Sequence, residues 1–326
     1  MRNEQLDAQK GALILLVVFC HVLEIFQGWT NPILVLFLRP VYAFHMPAFI
    51  MIAGCMTKTP ASTMRILSTF LSYLAFQIFY SLPSLPSLRI LHTIAYPFWI
   101  MWFLLSMCLW HVIAPIIACS RYAVLIAVIV ALIAGFTPFD GYILSLSRTA
   151  VFLPFFVAGH VHGHDWPHRI RRCPLPIAGV TATLLITGIN FIAVDGDWLR
   201  GGLTYRQMNV DPVTGMLSRA LLLLVGFLLI LCFLRGIGPV RWLARYGRYT
   251  LPVYLLHAAI LLPLGRLFGP NIIHLSPMTL LLIAALGTLA ITHCLALDMI
   301  DRPMRRLFHS AAATVLATVN GSRPAS

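Results

Sequence analysis

The chain has 326 residues, of which 60% are hydrophobic and only 10% are charged, and its mean hydropathy is +0.88. Soluble domains carry about 25% charged residues, so this chain has too few ionisable side chains to cover a globule in water. The composition excludes a soluble enzyme, a disordered protein and a disulfide scaffold, and it indicates a polytopic membrane protein. The net charge of +13 does not indicate a nucleic-acid partner, because the basic residues of membrane proteins gather in cytoplasmic loops.

Apolar stretches predict an all-α, polytopic transmembrane helix bundle with about ten spanning helices. A spanning helix needs about 20 mainly apolar residues, and the sixth stretch qualifies only if Arg148 lies in its outer turns. Residues 1–300 are expected to form one transmembrane domain, and residues 301–326 a basic cytoplasmic segment that ends in a loose tail from Ser310. In chain order the predicted spans cover residues 11–27, 33–56, 64–82, 96–118, 122–136, 143–161, 175–194, 216–234, 249–267 and 276–297.

The distribution of Lys and Arg predicts the orientation of the bundle. With the N-terminus placed inside, sixteen of the 23 basic residues fall on the inner side, and the other seven fall on the outer side or in the outer half. Cytoplasmic loops carry the excess of Lys and Arg in membrane proteins. Both termini are therefore expected to be cytoplasmic.

The first predicted span carries a lysine and a histidine on one face. Lys10 and His21 are eleven residues apart, which corresponds to three turns plus about 20° and to about 16.5 Å along the helix axis. A long phosphorylated cofactor that enters from the cytoplasm could contact both. The spacing fits equally a snorkelling lysine and a histidine that hydrogen-bonds to another helix. Glu24, one turn beyond His21, could orient that imidazole or pair with a basic residue such as Arg39.

Two more histidines are predicted to lie within spans. His45 lies in the second span between Pro40 and Pro47, and prolines usually bend a membrane helix beside a cavity or a packed neighbour. His257 lies in the ninth span. Ionisable groups inside a bilayer are costly, so each of these histidines is a candidate functional residue.

A further run of histidines lies in the longest predicted inner loop. No set of cysteines or carboxylates completes a defined metal geometry with it, so we expect a solvated, anion-attracting loop and no metal. The run comprises His160, His162, His164 and His168.

Five short motifs follow one another over residues 6–257. They are Leu6-Asp7-Ala-Gln-Lys10-Gly11 with His21, Phe44-His45-Met46-Pro47 through Gly54, Trp102-Phe103-Leu104, Arg148 with Phe152 to Gly159, and Gly247 to His257. Their order resembles that of the acyltransferase-3 family of bacterial membrane proteins. Much of that family has a second arginine three residues after the position of Arg65 and an acidic residue shortly after that of Trp102. This chain has neither, which favours the fucose 4-O-acetylase-like branch.

The resemblance implies an integral membrane O-acyltransferase in a bacterial cytoplasmic (inner) membrane. Its donor would be cytoplasmic acetyl-CoA or another acyl-CoA, and its acceptor a hydroxyl of a carbohydrate in a cell-surface or exported glycan, in some cases lipid-linked. His21 corresponds to the essential histidine of the first helix. Lys10 corresponds to the basic residue before it, where many members have arginine. Lys10, Asp7 and Arg65 are accordingly the candidate cofactor-binding residues.

The resemblance also distributes the other candidate roles. His21 would act as a general base or as an acylated nucleophile, with Glu24 as a further candidate catalytic residue. His45 and His257 are candidates for orienting the acceptor or stabilising the oxyanion. The candidate substrate-binding residues are Arg39, Arg148 and Trp102, and the two arginines would meet an anionic or phosphorylated glycan carrier.

Two other classes of function stay open. A transporter or flippase would use the buried histidines and Glu24 for proton relay or solute binding. Such proteins often show repeated halves, which the sequence lacks. A purely structural membrane subunit would leave the histidines replaceable.

Overall fold

The structure is a computed structural model, and every regular element among its described residues is a helix. It describes residues 3–26, 28–57, 62–82, 95–138, 140–163, 170, 172–272 and 274–320. The predicted all-α class is confirmed. The α-helices in these ranges are α1 Glu4–Phe26, α2 Pro32–Cys55, α3 Thr63–Ser81, α4 Trp102–Ile117, α5 Ala123–Ile133, α6 Leu146–His162, α7 Leu175–Phe191, α8 Gly196–Arg200, α9 Pro212–Gly236, α10 Arg241–Arg248, α11 Thr250–Ile272, α12 Pro277–Leu295 and α13 Asp298–Val319.

Seven helical segments within the described residues are long and apolar enough to cross a membrane. They are Glu4–Phe26, Pro32–Cys55, Trp99–Ile117, Ile143–His162, Pro212–Gly236, Thr250–Gly269 and Pro277–Leu295. Two shorter apolar helices, Ala123–Phe136 and Leu175–Phe191, coincide with the fifth and seventh predicted spans. A polytopic helical bundle is thereby confirmed, while the number of ten spans stays a prediction.

The structure corrects the expected start of the first helix. α1 begins at Glu4 rather than near Gly11, because the Asn3 side chain accepts a hydrogen bond from the Leu6 amide and caps the first turn. Lys10, just before the predicted span, therefore lies inside the helix.

The expected loose tail from Ser310 is wrong over residues 310–319, where α13 continues to Val319. Three consecutive alanines, the best helix formers, follow Ser310, and Ala312 is fully buried. Residues 321–326 lie outside the described part of the chain.

The chain divides into two compact units, of which the first comprises residues 1–52, 162–200 and 218–301. In this unit α10 packs against the first turns of α1 through a small apolar cluster. A Cβ atom at Gly11 would overlap the Leu243 carbonyl oxygen, and one at Gly247 would overlap the Asp7 carbonyl oxygen. Glycine at both positions therefore lets the two backbones touch. The cluster consists of Ala8, Ala12, Leu243 and Ala244.

The second unit comprises residues 53–161, 201–217 and 302–326. In this unit a buried polar contact joins α4 and α6, two mainly apolar helices. The Trp110 indole donates to the Thr149 carbonyl oxygen at 2.8 Å, and the hydroxyls of Ser106 and Thr149 are 2.7 Å apart. Trp110 is fully buried and stacks on Phe156 with 5.7 Å between ring centroids.

Candidate active site

Two histidines that are 236 positions apart in the sequence form a partly buried pair in the first unit. His21 Nδ1 on α1 lies 2.9 Å from His257 Nε2 on α11. The ring planes are 4° apart and the centroids 5.1 Å apart, which places the imidazoles edge to edge rather than face to face. His257 is fully buried. The structure thus brings together two of the predicted catalytic residues.

The backbone around His257 determines which nitrogens of the pair carry protons. His257 Nδ1 lies 2.9 Å from the carbonyl oxygens of both Val253 and Tyr254, and carbonyl oxygens only accept hydrogen bonds. In the neutral ring Nδ1 is therefore the donor and Nε2 the acceptor. Nε2 then accepts from His21 Nδ1–H, and the lone pair of His21 falls on its Nε2.

His45 belongs to the same group of imidazoles. Its ring is almost fully buried, and its Nδ1 lies 2.7 Å from the Val41 carbonyl oxygen one turn earlier in α2. It interacts electrostatically with His21, and the Tyr42 ring packs edge-on against it at 5.0 Å. By the same reasoning, the neutral His45 ring carries its lone pair on Nε2.

Glu24, one turn beyond His21, is the centre of a polar network of its own. Its carboxylate accepts from the Tyr42 hydroxyl at 2.8 Å, from the Trp29 indole at 3.2 Å and from the Arg200 guanidinium at 3.3 Å. Of the two alternatives left open, pairing with a basic residue is the one observed, and the arginine is Arg200. Arg39 instead donates through Nε to the Val194 carbonyl oxygen at 3.0 Å.

Arg200 is the main residue of this site that the sequence did not single out. It ends the short helix α8, forms a second ion pair with Asp197 at 2.6 Å and lies over the Trp29 ring at 5.0 Å. Burial disfavours its charge, but Glu24 and then Asp197 outweigh burial and raise the pKa of Arg200. The guanidinium therefore stays charged. The only signal for it in the sequence is the group of charged residues in this loop, Asp195, Asp197 and Arg200.

At the other end of α1, Lys10 is paired with the neighbouring candidate residue Asp7. The ammonium nitrogen lies 2.7 Å from the Asp7 carboxylate, and the two side chains are only 11% and 6% exposed. The expected cofactor-binding role of Lys10 stays a prediction. Its charge is compensated by Asp7 within the bundle.

The remaining candidates belong to the second unit. Arg148 lies over the rings of Trp102 and Tyr142, at 5.2 and 4.9 Å from their centroids, so two of the predicted substrate-binding residues contact each other. Arg65 is exposed, and its guanidinium reaches the Met56 carbonyl oxygen at 3.5 Å.

The run of histidines in the inner loop is only partly described. His164 and His168 lie outside the described residues, whereas His160 and His162 end α6. Among the residues that the structure describes, no group of three or more His, Cys, Asp or Glu side chains is arranged to hold a metal ion.

The fold is that of a polytopic helical membrane protein, with a partly buried histidine pair in its first unit. Comparison with known families shows which family the chain belongs to. The profile of the acyltransferase domain family Acyl_transf_3 matches residues 3–297. The chain therefore belongs to this family and is a membrane acyltransferase. Comparison with curated proteins and with solved structures gives no significant match.

Proposed function

We propose that this membrane acyltransferase moves an acetyl group from cytoplasmic acetyl-CoA to a hydroxyl of a sugar in a cell-surface or exported glycan. The chain would work in the cytoplasmic membrane of a bacterium. The family match supports acyl transfer, and the motifs favour the fucose 4-O-acetylase-like branch. The histidine pair is the observation that carries the proposal.

His21 Nε2 is the proposed base. A general base needs a lone pair on a nitrogen atom whose orientation is fixed. His257 fixes the ring of His21 by accepting a hydrogen bond from His21 Nδ1–H, which leaves the lone pair on Nε2. His257 uses both of its nitrogens in this arrangement, one for the backbone and one for His21. It is therefore a positioning residue, and the alternative role of stabilising an oxyanion does not fit its neutral form.

In the proposed reaction His21 first takes a proton from the acceptor hydroxyl and then gives it to the leaving group. His21 Nε2 takes the proton of the sugar hydroxyl while the hydroxyl oxygen attacks the thioester carbonyl carbon. The carbon–sulfur bond breaks as the tetrahedral intermediate collapses, and the CoA sulfur leaves with the proton that His21 returns. If Nε2 attacks the thioester itself, an acyl-histidine forms first, and rapid quenching with labelled donor distinguishes the two routes.

The neighbouring groups suit the carbohydrate acceptor better than the donor. With its lone pair on Nε2, His45 accepts a hydrogen bond and so can orient a sugar hydroxyl. Beyond it the site continues through Tyr42 to Glu24, Trp29 and Arg200. An aromatic ring beside a carboxylate and a guanidinium provides apolar and hydrogen-bonding contacts for a sugar.

The test uses membrane vesicles that contain the wild-type chain or the His21→Ala variant, given acetyl-labelled CoA and a crude extract of lipid-linked glycans. Label is expected on the glycan with wild type only. Donor hydrolysis is followed in the same tubes, so that a missing acceptor is recognised by turnover of acetyl-CoA without glycan labelling.

Two controls make the test specific. His274→Ala removes an exposed histidine after α11 and is expected to retain wild-type labelling. His21→Gln is a second variant at the same position. A monodisperse elution profile shows that its loss of activity does not reflect misfolding. Equal labelling by wild type and both His21 variants would contradict the proposed base.

Solute uptake that depends on a proton gradient but not on acetyl-CoA would favour the transporter alternative.

A further inference from the structure

The short helix α10 presents a basic face that the proposed reaction has not yet used. Arg241, Arg245 and Arg248 are spaced i, i+4 and i+7, so their side chains leave the helix on one side, and all three are exposed. The opposite side, with Leu243, Ala244 and Gly247, is buried against α1.

The charges of this face are largely uncompensated by carboxylates. Arg241 is 96% exposed and reaches Glu4 only at 3.9 Å, a distance at which an exposed pair contributes little. Lys10, by contrast, is neutralised by Asp7. Among the described residues at this end of α1, the accessible positive charge therefore belongs to α10 and not to Lys10.

The position of α10 connects this charge with the histidine pair. α10 rests on α1 at Asp7 and Gly11, and His21 follows Gly11 by about 15 Å along the helix axis. α10 ends at Arg248, and α11, the helix that carries His257, begins two residues later. Both helices thus run from the basic face to one of the paired imidazoles.

We propose that Arg245 and Arg248, together with Arg241, bind the phosphate groups of the acyl-CoA donor. This inference rests on the proposed function and assigns its donor site. Arginine is suited to the role because its planar fork can donate two parallel hydrogen bonds to one phosphate. The pantetheine arm would then extend along α1 and α11 toward His21. The excess of Lys and Arg places this end of α1 on the cytoplasmic side, where acyl-CoA is found.

The experiment measures CoA binding to the purified full chain in nanodiscs, one set made of zwitterionic lipid and one that includes anionic lipid. Wild type is compared with Arg245→Ala/Arg248→Ala and with Arg245→Lys/Arg248→Lys. Arg306→Ala, an exposed arginine on α13 that is predicted to face the same side, is the matched control. Pantetheine, which has the thiol arm but no phosphate, is the second probe.

The double alanine variant is expected to bind CoA about tenfold more weakly, as the loss of two exposed charge contacts predicts, with the same loss in both lipids. The lysine variant should retain part of the affinity, and pantetheine binding should not change. Unchanged CoA affinity in the zwitterionic nanodiscs would overturn the inference. A loss seen only with anionic lipid would assign the arginines to lipid headgroups instead. Failure of wild type to bind CoA at all would count against the proposed function itself.

Discussion

The three imidazoles of the site, of which those of His45 and His257 are buried, acquire different roles from the backbone groups next to them. Two carbonyl oxygens face His257 Nδ1, and one faces His45 Nδ1, so in both neutral rings the lone pair is on Nε2. At His257 this lone pair is directed at His21. His21 therefore carries its proton on Nδ1 and its lone pair on Nε2. A single residue in this site is therefore understood only together with the carbonyl groups one turn before it.

The first prediction concerns His257 as a positioning residue. His257→Ala should lower kcat about 100-fold, on the order of a general base contribution, because nothing then holds His21 in the reactive tautomer. His257→Gln should retain considerably more activity, since an amide oxygen can also accept the proton of His21 Nδ1. Initial rates at saturating donor and acceptor measure kcat, and KM for acetyl-CoA should stay close to that of wild type. Equal loss in the two variants, or a change confined to KM, would contradict the role.

The second prediction concerns Glu24 and Arg200. Glu24→Ala leaves the guanidinium partly buried with Asp197 as its remaining partner, and should cost about 1–3 kcal/mol of stability. Thermal stability in detergent, monitored by the eluted monodisperse fraction, measures the change. Arg266→Ala, at an exposed arginine near the end of α11, should leave the unfolding temperature unaltered. In the double-mutant cycle with Arg200→Gln and Glu24→Gln, purely additive effects would show that the pair is not coupled.

At the scale of helices, the contact between α1 and α10 depends on glycine at two positions. The backbones meet at Gly11 and Gly247, which allows a short, strongly basic helix to lie along the first turns of a membrane helix. Gln9 strengthens the same region, because its side-chain amide donates to the Leu234 carbonyl oxygen at the end of α9 at 2.9 Å. Three helices are thus joined at the end of α1 opposite to Glu24.

The third prediction tests this contact with matched glycine substitutions. Gly247→Ala and Gly11→Ala each place a methyl group onto a carbonyl oxygen of the other helix and should destabilise by about 1–3 kcal/mol or more. Gly287→Ala on α12 meets no atom within 4 Å and should be neutral or slightly stabilising, because alanine is the better helix former. Thermal stability of the four proteins in one detergent provides the comparison. Similar stability of the Gly247 and Gly287 variants would show that the helices do not touch there.

At the scale of the whole molecule, the number of spans and the position of the termini are linked. Seven or nine crossings would leave the termini on opposite sides, whereas ten crossings leave both on the same side, which the excess of Lys and Arg predicts to be cytoplasmic. Nine segments are the seven long apolar helices together with the two shorter ones. The remaining predicted span, residues 64–82, coincides with α3, Thr63–Ser81, which carries polar residues among its buried positions.

The fourth prediction is that α3 crosses and both termini are cytoplasmic. A C-terminal alkaline phosphatase fusion should be inactive and a C-terminal fluorescent protein fusion bright, because the phosphatase matures only outside the cytoplasm. A phosphatase fusion truncated after Ala193, in the predicted outer loop that follows α7, should be active, because seven crossings that include α3 would precede it. An active phosphatase at the C-terminus, or an inactive one after Ala193, would contradict the prediction.

The sequence by itself determined the class of the molecule and the position of most helices along the chain. Apolar stretches identify membrane helices because every backbone polar group in a bilayer must be satisfied within the helix. The spacing of Lys10 and His21 places both on α1, but spacing along one helix contains no information about the neighbouring helix. The i, i+3 spacing of Asp7 and Lys10 allows an ion pair within α1, but the burial of that pair depends on the helices packed around it.

Only the tertiary structure decided which distant side chains meet. His21 pairs with His257 across 236 positions, and Glu24 pairs with Arg200 across 176 positions rather than with Arg39. Such pairs depend on how helices pack, which is determined by the fit of many small side chains and by contacts as close as those at Gly11 and Gly247. The chemistry proposed for this acyltransferase resides in these contacts, because a tautomer is selected by a neighbour at hydrogen-bonding distance and not by a position in the sequence.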